Sequence, residues 1–172
     1  MNIDILWHSL IIAVPLVLSN SFHMLVVKYG IFEKFNIPIS TRLFGQNKTY
    51  RGFLFLTIVN ALIFLVFIQL IAIPSAMPVW YGALLGFLYL FFELPNSFFK
   101  RLLNISPGGT HHKFKYFFWW LDKSDSTLGL SLVHYVLGFV AFSEALWMYA
   151  LLLFIHITTS VILVNSGIKK SF

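Results

Sequence analysis

The sequence predicts an all-α integral membrane protein: five transmembrane helices in a single domain over residues 1–172, with two cytoplasmic loops forming the active site. Three observations predict it. First, 59% of the residues are hydrophobic and only 10% are charged, whereas soluble domains carry about 25% charged residues. Second, apolar runs of near-spanning length recur five times. Third, the basic residues collect in three segments that five crossings bring to one side.

A crossing helix needs roughly 20 mostly apolar residues. The runs lie at 5–27, 53–73, 79–94, 127–142 and 145–164. The first follows Met1-Asn2-Ile3-Asp4, which has no positive n-region, and it lacks a small-residue cleavage site, so it reads as a crossing helix and not a removed signal peptide. Pro74 and Pro78 end the second helix and start the third. Ser143-Glu144 forms the turn between the fourth and fifth. The third and fourth runs are short, so each extends into its flanking loop or sits where neighbours shield it.

All 12 basic residues fall into three places. Lys28, Lys34, Arg42, Lys48 and Arg51 lie between the first two runs. Lys100, Arg101, Lys113, Lys115 and Lys123 lie between the third and fourth. Lys169 and Lys170 close the chain. The positive-inside rule makes that side cytoplasmic and leaves the N-terminus outside, as expected of a multi-pass protein of the cell membrane. Many of these residues read equally well as insertion anchors. No cysteine is present, which excludes disulfides and thiolate metal sites. Gly-x-Ser-x-Gly, Walker and Cys–His nucleophile patterns are absent too.

The polar segments carry more than anchors. Gly45-Gln46-Asn47-Lys48-Thr49-Tyr50-Arg51-Gly52 sets Lys48 and Arg51 three apart, on one face if a helix opens here. Arg offers a planar fork for phosphate and Lys a mobile point charge. A juxtamembrane anchor is the other reading. Downstream, a single long loop is expected to hold Asn96, Ser97, Lys100 and Arg101, then Pro107-Gly108-Gly109, then Asp122 and Asp125. Two carboxylates at i and i+3 suit Mg²⁺, which shares its shell with water and phosphate oxygens. Solvated acids neutralised by Lys100, Arg101 or Lys123 are the alternative. Glu93, at the end of the third run, is open between a third metal ligand, a partner of Lys100 or Arg101, and a carboxylate positioning Lys48. His134, His156 and Asn60 fall inside the runs, where interhelical hydrogen bonding explains them as well as function does.

Ser97-x-x-Lys100-Arg101, Pro107-Gly108-Gly109 and Asp122-x-x-Asp125-Ser126 resemble a shortened form of the phosphatidate cytidylyltransferase signature. The chain is more similar to the CDP-archaeol synthases, small five-span relatives of those enzymes. Their Gly-x-x-Lys-Thr-x-Arg-Gly stretch is matched from Gly45 to Gly52, and their Asp-x-x-Asp-x-x-Leu-Gly stretch by Asp122, Asp125, Leu128 and Gly129. Glu93 stands where Asp is usual, Leu102 replaces a basic residue, and Ser106-Pro107 falls near the place of a Lys-Asp pair.

The resemblance implies transfer of a cytidylyl group from CTP to a lipid phosphate, giving a CDP-lipid and pyrophosphate. It implies Mg²⁺ on Asp122 and Asp125, with Glu93 as a further candidate ligand. Lys100 joins these three as a catalytic candidate. CTP and the lipid phosphate would be bound by Lys48, Thr49, Arg51, Asn96, Ser97, Arg101 and Ser126. The acceptor, ether-linked or diacyl, is open, and so is a homo-oligomer; no nucleic-acid partner is expected. Two other readings stand beside this one: a CTP-dependent polyprenol or phytol kinase, which would release CDP, and a non-catalytic protein that binds or transports lipid phosphate.

Overall fold

The computed structural model describes residues 3–70, 78, 80–109 and 114–169. Their helices are α1 (Ile3–Lys28), α2 (Tyr50–Leu70), α3 (Trp80–Leu102), α4 (Lys115–Val136) and α5 (Phe142–Asn165), with a short 3-10 turn at Glu33–Phe35. Successive helices pack on one another, and α1 also packs on α5 and α3. Pro74 lies outside the described residues.

The exterior of α2 shows what solvent this fold expects. Leu54, Ile58, Leu62 and Val66 repeat every four residues and stand about half exposed, while Leu56, Asn60 and Phe64 face inward. A water-soluble helix would turn polar side chains outward; this one turns hydrocarbon both ways, as a helix in lipid does. The helices α1, α2, α3 and α5 are long and apolar enough to cross a membrane. The helix of the expected fourth run does not meet that standard, because α4 carries Lys115, Asp122, Lys123 and Asp125 in its first half.

Small residues let the backbones close up. A Cβ on Gly86 would lie 2.3 Å from the Leu56 carbonyl oxygen, and one on Gly82 would lie 2.5 Å from the Phe64 Cβ. That approach brings Asn60 within reach of two neighbours. Its Nδ2 donates to the Gly82 carbonyl at 2.6 Å, and its Oδ1 accepts from the Ser19 hydroxyl at 3.1 Å. Such interhelical bonds average about 0.6 kcal/mol in bilayers, so they fix register more than they stabilise. His134 is held the same way, bonded to the Tyr81 hydroxyl and, at 3.1 Å, to His8. His156 meets the Tyr89 hydroxyl at 3.3 Å. Asn60, His134 and His156 therefore have structural partners.

The third and fourth runs do extend into their flanking segments. The third helix does not stop at residue 94; it continues through Pro95 to Leu102. Ser97, Lys100 and Arg101 thus ride on α3 and not in a loop. The fourth helix starts at Lys115 and ends at Val136, so the Asp pair is also helical. The α4–α5 turn falls at residues 137–141, where Gly138 takes φ +77°. Ser143 and Glu144 lie in the first turn of α5, and the Glu144 carboxylate accepts from the Ala141 N–H at 2.8 Å, capping the helix. Hydropathy finds only surfaces that face lipid. The polar ends of α3 and α4 face each other, and so stay helical where an apolar pattern stops.

Candidate functional site

One end of the bundle is polar and hollow. A cavity of about 390 Å³ is lined there by the second half of α1, the segment before α2, the end of α3, the start of α4 and the end of α5. Local pairing brings the first segment in. The Ile39 N–H donates to the Lys48 carbonyl at 2.9 Å, and the Tyr50 N–H donates to the Ile37 carbonyl at 3.0 Å. This short antiparallel contact pins residues 48–50 just ahead of α2 and aims Lys48 at α3. Gly45, at φ +82°, is a second pin: a Cβ there would sit 3.0 Å from Pro107 and 3.7 Å from the Arg101 guanidinium carbon. The two polar segments are thereby locked together.

Lys48 donates to the Glu93 carboxylate. Of the three roles open to Glu93, the geometry draws together the third, a carboxylate holding Lys48. Two turns further along α3, Lys100 donates to Asp122 Oδ2 at 2.6 Å. Between them, Asn96 Nδ2 donates to Asp122 Oδ1 at 2.7 Å and to Asp125 Oδ2 at 3.0 Å. One amide nitrogen thus spans both carboxylates, so the i, i+3 spacing on α4 does bring them to one point.

Eight of the expected site residues line this cavity: Lys48, Glu93, Asn96, Ser97, Lys100, Arg101, Asp122 and Asp125. Three do not. Arg51 is buried but turned toward residues 31–33, donating to the Ile31 carbonyl at 3.1 Å and to Glu33 at 3.3 Å. It clamps the first loop, which shows why a shared helical face with Lys48 was a poor guide. Thr49 accepts from the Gly52 N–H at 3.3 Å and serves the start of α2. Ser126 is buried, and its N–H donates to Asp125 Oδ1 at 2.7 Å.

Among the described residues, no three His, Cys, Asp or Glu side chains converge as a metal cluster. The Asp pair by itself still fits Mg²⁺ by donor chemistry. Its two hard oxygen ligands converge on the Asn96 amide, whose buried Oδ1 has no hydrogen-bond partner. Mg²⁺ takes few protein ligands and completes its shell with water and phosphate.

His23, Lys123, His156, Ser160 and Lys169 also line the cavity. In the sequence, Lys123 reads only as a counter-ion for the Asp pair, His156 as an interhelical bond and Lys169 as part of the basic tail, and no spacing points to Ser160 or His23. The chain matches no protein-family model, no curated protein and no solved structure.

Proposed function

We propose that this protein is a CTP-dependent cytidylyltransferase acting on a membrane lipid phosphate, releasing pyrophosphate and a CDP-lipid. One observation carries the reading: a single cavity at the polar end of an apolar bundle gathers Lys48, Lys100 and Arg101 with three carboxylates from helices α3 and α4 and the segment before α2. The motifs that resemble CDP-archaeol synthases supply most of them.

The chemistry asks little else of the protein. A lipid phosphate oxygen is already an anionic nucleophile. It attacks the α-phosphorus of CTP, and the bond to the β-phosphate oxygen breaks as pyrophosphate departs. No side chain has to remove a proton. Catalysis of such transfers lies in positioning and charge stabilisation. Lys48, Lys100 and Arg101 would neutralise triphosphate and acceptor, and Glu93 would hold Lys48 in place. Asp122 and Asp125 would hold Mg²⁺, which when bound neutralises phosphate charge and orients the leaving group. Asn96 keeps the two carboxylates facing one point.

The topology belongs to the same proposal. α3 and α4 lie antiparallel over most of their length, since Lys100 meets Asp122 at one end and Tyr81 meets His134 at the other. We take α4 as a fifth crossing, shielded from lipid along its polar face by its neighbours. The basic end is then cytoplasmic, within reach of soluble CTP, and the N-terminus is outside.

The test is purified protein with CTP, Mg²⁺ and a panel of ether and ester lipid phosphates. Pyrophosphate should appear in step with a CDP-lipid. CDP formed on a polyprenol or phytol panel would instead identify a kinase.

A further inference from the structure

The cavity contains a second cationic group that the reaction above does not use. Lys123, from α4, donates to the Ser160 hydroxyl oxygen at 3.0 Å. Lys169, just beyond α5, donates to the same oxygen at 3.0 Å. Lys123 and Ser160 are each only 4% exposed. All three residues line the cavity. The shared oxygen holds the two ammonium nitrogens within about 6 Å of one another, a range at which like charges repel appreciably away from bulk water.

The cluster is rich in donors. Each ammonium carries three N–H bonds, and a hydroxyl that accepts twice still has its O–H to donate. A doubly charged tetrahedral oxyanion complements both its charge and its donors. A phosphomonoester is such a group.

The rest of the cavity indicates what that phosphate is attached to. α1 lines it from Ala13 to Met24, about 16 Å of helix at 1.5 Å per residue. Away from the charged end its wall is Ala13, Leu16, Leu130 and Leu152. A nucleotide has nothing to place against that hydrocarbon. An amphiphile with a phosphate head does.

We propose that Lys123, Ser160 and Lys169 form a phosphate-binding subsite for the headgroup of a phosphorylated bilayer lipid, in the same cavity as the carboxylate pair. That its ligand is the acceptor of a transfer reaction rests on the cytidylyltransferase reading; that it binds lipid phosphate does not.

The test measures binding to the full chain in detergent, using dihexanoyl phosphatidate, inorganic phosphate and CTP with Mg²⁺ as separate probes. Lys169→Gln and Ser160→Ala should each weaken dihexanoyl phosphatidate at least tenfold and leave CTP within twofold. Lys123→Gln should do the same if it folds; Lys169, at the helix end, keeps the test open if it does not. Inorganic phosphate should bind far more weakly than the lipid. Unchanged phosphatidate binding in Lys169→Gln and Ser160→Ala overturns the subsite. Loss of CTP in place of phosphatidate reassigns it to the nucleotide and also overturns it. Equal affinity for inorganic phosphate and phosphatidate overturns the lipid assignment. A chain that binds phosphatidate through these residues but never binds CTP upholds the subsite and defeats the cytidylyltransferase reading.

Discussion

Asn96 and Glu93 show how neutral and acidic side chains order a charged site. Asn96 gives one nitrogen to both Asp122 and Asp125, and Glu93 engages Lys48. Asp122→Asn and Asp125→Asn should each lower turnover about 10²–10³-fold, the usual cost of losing one group that stabilises reacting charge. Both variants should remain folded by circular dichroism. Full activity in either would remove that residue from the site. Glu93→Gln should behave differently. As the group that positions Lys48, it should raise the KM for CTP about tenfold, or about 1.4 kcal/mol, with the Mg²⁺ requirement unchanged. A shift in the Mg²⁺ titration would make Glu93 a metal ligand instead. The Asp pair was legible because i, i+3 spacing has one meaning on a helix. Lys48 and Arg51 share that spacing, yet Lys48 precedes α2 and Arg51 lies within it, so the pair diverges. The lone residues Lys123, Ser160 and Lys169 come from separate segments, and only packing unites them.

Helix identity was easier to read than helix extent. Apolar runs located all five helices, because burial in lipid demands hydrocarbon on every outward face. They stopped short where α3 and α4 become polar and face one another across the cavity. The close seam between α2 and α3 was not legible either, since Gly82 and Gly86 carry no hydropathy signal. A methyl group on Gly86 would meet backbone, and backbone cannot rotate away. Gly86→Ala should therefore destabilise the fold by about 1–3 kcal/mol, the typical cost of overpacking. Unfolding in mixed detergent micelles should register that loss. An unchanged transition would mean that the seam is looser than the structure describes.

The bundle as a whole separates a hydrocarbon exterior from a charged interior end, and its five helices divide the work. α1, α2, α3 and α5 present apolar surface, while α4 carries Asp122 and Asp125 and packs on α3 and α5. If α4 crosses the membrane, residues on either side of it face opposite compartments. Cysteine is absent from the chain, so single-cysteine variants give an unambiguous readout. Lys34→Cys and Ser143→Cys, both at exposed positions, should label from opposite sides of sealed vesicles. Labelling from the same side would reduce the crossings to four. The cytidylyltransferase reading itself is met most directly by following two labels of CTP in the presence of Mg²⁺ and a lipid phosphate. The α-phosphate label should enter the lipid and the γ-phosphate label should leave as pyrophosphate, with neither moving in Asp122→Asn. The γ-phosphate label in lipid, or no transfer of either label to any lipid phosphate, would contradict it.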